Sequence, residues 1–104
     1  MAEVNSDALS EAVVLTQKMF ACAQRDDWEE VQTFSNQRMA LLHDYFATPV
    51  AEENAQGVAE VIENIQNIDR RLMVLCDARH EQLAKQLVEL QGVKKVTAAY
   101  NANY

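Results

Sequence analysis

Glycine and proline are nearly missing from this chain, with 2 Gly and 1 Pro in 104 residues. So few turn-formers exclude a fold of many short strands and tight turns, and predict a few long regular elements. Cysteine is equally sparse. Cys22 and Cys76 sit in separate apolar stretches with no second cysteine nearby. That excludes a disulfide scaffold and reads as two buried free thiols in a reducing compartment. Long apolar runs are absent too. None is longer than the five residues of Leu72–Cys76, far short of the roughly 20 residues that span a bilayer. The opening Met1-Ala2-Glu3-Val4-Asn5 has neither the basic region nor the apolar core of a signal peptide, so a cytosolic location is expected. Excess positive charge is lacking: the formal net charge is −7. An acidic chain repels polyanions, which disfavours direct binding to nucleic acid or anionic membrane.

Catalytic patterns are also missing. No nucleophile stands with a base, and neither a Gly-rich phosphate loop nor zinc-ligand spacing occurs. The only metal-like fragments are His43-Asp44 and Asp77-x-x-His80. A carboxylate site in a helical bundle would need several Glu and Glu-x-x-His contributions from four helices. No catalytic residue, metal or cofactor is therefore expected. His43 reads as solvated and His80 as a packing residue beside an apolar seam.

What is present favours helix: Ala, Glu, Gln, Leu and Val dominate. Ser6 or Asp7 can cap a first helix to about Arg25, with Leu9, Ala12, Val13, Thr16, Met19, Phe20 and Ala23 on one stripe. Arg25-Asp26-Asp27 reads as a short connection, and Asp27 with Glu30 as a capping box. The second helix runs to about Ala47, with Trp28, Val31, Phe34, Ser35, Leu41, Leu42, Tyr45 and Phe46 on its inner face. Arg38 interrupts that face, so it either snorkels or makes a specific polar contact. Trp28 is expected to be a largely buried anchor, whose truncation to Ala costs about 3–5 kcal/mol. Pro49 pushes its predecessor out of the α region and suits the start of a new helix. The third helix begins somewhere between Val50 and Val58, a start that Gly57 leaves open, and runs to Gln91, with Gly92 as a C-cap followed by Lys94 and Lys95 at its negative end. Its seam of Val58, Val61, Ile62, Ile65, Ile68, Leu72, Leu75 and Cys76 shifts, by a four-residue stutter, to His80, Leu83, Leu87 and Leu90.

The expected fold is all-α, an antiparallel three-helix bundle in one domain, 1–104. Its helices cover about 6–25, 27–47 and 50–91, with a short tail at 93–104 that is helical if it docks. Two helices of about 20 residues reach roughly 30 Å, whereas the third reaches roughly 52–60 Å. Its second half must outrun the hairpin while still carrying large apolar side chains. Leaving each in water costs about 1.5–3 kcal/mol relative to burial. The tail, a second copy or a client protein must therefore cover them. The candidate partner-binding set is Leu72, Leu75, Arg79, Leu83, Leu87, Leu90, Val96 and Tyr100.

The order of these features resembles the FliT-like family of flagellar export chaperones. The resemblance is carried by Ala23-Gln24-Arg25-Asp26-Asp27-Trp28-Glu29, by Arg38 with Leu41-Leu42, by Ile65-x-x-Ile68-Asp69 with Leu72, and by Lys94-Lys95-Val96-Thr97-Ala98-Ala99-Tyr100. It implies a small helical chaperone that holds the filament-cap protein before export. Some members also contact the export ATPase and a flagellar transcription activator, which extends to regulation of flagellar gene expression. A fourth helix that masks the binding surface follows the long helix in some members; here twelve residues follow Gly92. The expected mechanism is burial of a client's amphipathic helix in an apolar groove, with rim charges setting specificity. The rival readings are an adaptor or coiled-coil scaffold that homodimerises through the third helix, and a small helical mutase clamping a dianion with Arg38, Arg70, Arg71 and Arg79.

Overall fold

The structure, a computed structural model, describes residues 2–102, and side chains over 7–98. Helix α1 spans Ala2–Gln24 and α2 spans Trp28–Phe46. A single 3-10 turn, Glu52–Asn54, leads into α3, Ala55–Ala102. Among the described residues there is no strand. The chain is an all-α bundle whose third helix is far longer than the other two, as the composition and Pro49 imply.

The first corner is built by a reversal that α1 makes with its own backbone. Asp26 takes φ 61°, the left-handed conformation that usually calls for glycine. Asp27 N then donates to Cys22 O at 2.9 Å and Asp26 N to Ala23 O at 3.0 Å. These two bonds satisfy carbonyls that the helix end leaves without partners. Asp27 caps α2, its Oδ1 accepting from Glu30 N at 3.3 Å. Only this half of the expected capping box operates, because Asp27 N is already committed to Cys22 O.

Packing centres on α1, which lies against both α2 and α3. Leu9, Ala12, Leu15, Met19, Cys22 and Ala23 are buried with Ile65 of α3. A helix flanked on two sides buries a wider stripe than one flanked on one side. That is why Leu15 and Cys22 join the expected set while Val13 and Phe20 are only half-buried. Thr16 is the one buried polar residue among those described. Its hydroxyl donates to Ala12 O at 2.8 Å and accepts from Arg38 Nη1 at 3.0 Å, so nothing is left unsatisfied.

The structure also places several helix ends and side chains differently from, or more narrowly than, the sequence expectations. Helix α1 starts at Ala2, ahead of Ser6 and Asp7. Helix α3 starts at Ala55, after an extended stretch and the 3-10 turn, inside the expected range of Val50 to Val58. Gly92 does not end α3: it has no positive φ, and the helix continues to Ala102. Trp28 is half-buried, so the full cost of truncating a core aromatic no longer applies. Cys22 is buried as expected, but Cys76 is half-exposed.

The 48 residues of α3 extend about 72 Å. They account for the overall dimensions of 77 × 21 × 20 Å. The radius of gyration, 21.1 Å, compares with about 13 Å for a compact chain of this length. The excess is the projecting end of α3, where every described residue from His80 to Ala98 is exposed.

Candidate functional site

Because α1 separates α2 from α3 over most of their length, an open groove of about 540 Å³ remains between those two helices. Met19 of α1 forms its floor. Trp28, Val31, Gln32, Ser35 and Arg38 of α2 form one wall. Asp69, Leu72, Met73, Cys76, Arg79, His80 and Leu83 of α3 form the other.

Two ion pairs bracket the groove. At one end Arg38 Nη1 meets Asp69 Oδ1 at 2.7 Å, tying α2 to α3 above Thr16. At the other, Arg79 Nη1 lies 3.7 Å from Asp26 Oδ2. Asp26 Oδ1 meanwhile accepts from Trp28 Nε1 at 2.7 Å, which fixes the indole at the rim. Asp69 and Arg79 are ten positions apart on one helix, about 15 Å. Between the brackets, which stand roughly three helical turns apart, the α3 wall is the apolar set Leu72, Met73 and Cys76. Each pair joins one acid to one base, so the brackets add no net charge to the groove.

The expected partner-binding residues fall into two connected groups. Leu72, Arg79 and Leu83 line the groove, and Leu75 is half-buried beside it. Leu87 is 60% exposed, Leu90 57% and Val96 70%, all on the part of α3 beyond the hairpin. The Tyr100 side chain lies outside the described residues. The line that includes Leu72, Cys76 and Leu83 in the groove, with His80 as its one polar step, continues through Leu87 and Leu90, so groove and projecting arm form one surface.

Trp28, Val31, Met19 and Met73 belong to this site but were absent from the sequence-based set. Their apolar character at helical spacing is indistinguishable from core when the gap between α2 and α3 is unknown. His80, expected in helix packing, lies exposed on the groove, with Nε2 4.0 Å from Cys76 Sγ. The four arginines do not converge on a common point: Arg38 and Arg79 face carboxylates, while Arg70 and Arg71 are exposed and off the groove lining. No group of three His, Cys, Asp or Glu side chains among the described residues is placed to hold a metal ion. No helix among the described residues is long and apolar enough to cross a membrane.

Fold and site together define a small all-α bundle with an open apolar groove and an uncovered helical arm. A family model described as flagellar protein FliT matches residues 7–102. The chain belongs to that family, as the resemblance of its corner, Arg38 segment, long helix and tail implies, and it is a flagellar protein of the chaperone type. No curated protein and no solved structure matches it significantly.

Proposed function

We propose that this protein is a flagellar export chaperone that holds an amphipathic helix of a filament-cap-type client and keeps it soluble before export. The observation that carries the reading is the largely apolar line from Leu72 and Cys76 in the groove, past His80 and Leu83, to Leu87 and Leu90 on the arm. A client helix laid along it buries its own apolar face against the line, and Trp28 and Val31 close over it from α2. The bracketing pairs Arg38–Asp69 and Asp26–Arg79 sit where a client's rim charges would register.

The test is calorimetric titration of the filament-cap protein of the same flagellar system into the full chain. Met73→Glu puts a charge on the groove wall without entering the core, since Met73 is 58% exposed. The reading expects saturable binding that weakens at least about tenfold in this variant, equivalent to about 1.4 kcal/mol. Binding unchanged by Met73→Glu and by Leu87→Ser would place the client elsewhere.

A further inference from the structure

The charge of the chain is divided along its length. Thr16, Arg38 and Asp69 meet at one level of the bundle. Because α1 and α2 form a hairpin and α3 runs back along it, residues 7–15 and 39–68 lie on the side of that level away from the arm. That end carries Asp7, Glu11, Asp44, Glu52, Glu53, Glu60 and Glu63 and no lysine or arginine. All seven acids are exposed. From Asp69 to Ala98 the balance reverses: Arg70, Arg71, Arg79, Lys85, Lys94 and Lys95 outnumber Asp69, Asp77, Glu81 and Glu89. An end with acids of one sign and no bases attracts cations and repels anions over about 8 Å at physiological salt. The same end carries an apolar stripe that no other described part of the chain covers. Beyond Arg38, Met39, Leu42 and Phe46 surround a shallow hollow of about 440 Å³, edged by Ser35, Arg38 and His43. Met39 is 68% exposed and Phe46 45%. Tyr45 packs edge-on against Phe46, ring centroids 4.9 Å apart, and steadies that ring at the surface. Arg38 lines both this hollow and the client groove, so its bridge to Asp69 marks the boundary between them.

We propose that the stripe Met39, Leu42 and Phe46 docks a basic amphipathic helix of a second partner protein, distinct from the client of the groove. Apolar side chains at three- and four-residue steps on that helix meet the stripe, the spacing that helix-in-groove recognition uses. Lysine and arginine on its flanks meet the field of the seven acids, which supplies what this end of the chain lacks. An acidic helix is repelled here, and so are nucleic acid and anionic membrane. The arm, with bases in excess, makes the opposite selection, so charge sorts two partners to two ends of one rod. From Ser35 to Phe46 the stripe runs about 17 Å, roughly three turns. A contact that short belongs to the small, transient class of interface, suited to a partner that is engaged and released.

The test needs no client, so its outcome is separate from that of the chaperone reading. The probe is a synthetic helix of about five turns with a leucine stripe and lysines on the remaining positions. It is titrated into the full chain and followed by amide NMR, beside a twin with glutamates in place of the lysines. The lysine helix is expected to shift amides of residues 35–46, and the glutamate helix is not. Met39→Lys is expected to weaken binding at least about tenfold with an unchanged melt. Val74→Lys, the same change at a site 67% exposed and outside both hollows, is expected to leave it as it was. Glu52→Gln, Glu53→Gln, Glu60→Gln and Glu63→Gln together are expected to weaken binding and flatten its dependence on salt. No binding of the lysine helix, equal binding of both helices, or shifts confined to residues 69–94 overturns the proposal. So does a loss from Met39→Lys no larger than that from Val74→Lys. If Met39→Lys alone changes the sedimentation mass of the free chain, a second copy covers the stripe and the proposal falls.

Discussion

Arg38 of α2 reaches Asp69 of α3 at 2.7 Å, and the same nitrogen donates to the fully buried Thr16 hydroxyl of α1 at 3.0 Å. One guanidinium thus joins all three helices at the point where the groove begins. Arg38→Ala is expected to lose about 1.5–3 kcal/mol, the range for hydrogen bonds to charged groups, because Asp69 and Thr16 both lose a partner. Chemical denaturation reads this directly. Arg38→Lys is expected to recover part of the loss, since an ammonium carries donors enough for both partners of Nη1 but stands on a different stem. A loss below about 0.5 kcal/mol for Arg38→Ala would mean that the pair is merely a surface contact.

Asp26 adopts φ 61° while its two carboxylate oxygens serve Trp28 and Arg79. Asp26→Gly and Asp26→Ala both remove those contacts, but only Ala carries a β-carbon into the left-handed region. Asp26→Gly is therefore expected to be more stable than Asp26→Ala by about 1 kcal/mol, measured by paired denaturant melts. Equal stabilities would show that the corner relaxes out of that conformation.

Leu83 is 38% exposed at the mouth of the groove, and Leu87 is 60% exposed on the arm beyond it. Replacing both with Ser is expected to change stability by less than about 0.5 kcal/mol, as surface substitutions do. A large destabilisation would assign these leucines to the core and move the client surface elsewhere.

Much of this architecture is legible in the residues. Pro49 marks the second break, Asp27 with Glu30 marks the start of α2, and the hydrophobic spacing of α3 exceeds what a hairpin of two shorter helices can cover. Arg38, inside an apolar face, signals a specific polar contact before its partners are known. The groove is not legible, because it depends on α1 holding α2 and α3 apart. Trp28 and Val31 look like core in one dimension and become groove wall only when that gap exists. Gly92 misleads for a related reason. A glycine followed by Lys94 and Lys95 has the composition of a helix end, yet nothing in space requires the chain to turn there.

Gly92 lies in the interior of α3, and nothing stands within 4 Å of a β-carbon added there. Gly92→Ala is expected to favour the helical arm by roughly 0.5–1 kcal/mol. Amide exchange over residues 88–98 should slow by several-fold as a result. Faster exchange in that variant would show that Gly92 is a helix end.

The central claim, that one continuous line on α3 with the facing wall of α2 receives the client, is tested most directly by amide hydrogen exchange on the chain with and without the filament-cap protein. The account predicts new protection concentrated in residues 69–94, strongest on the arm beyond Leu83 where the free helix is uncovered, with a weaker second zone at residues 28–38. Protection confined to the opposite face of α2, around Met39 and Phe46, or no change along the arm on saturation, would contradict it.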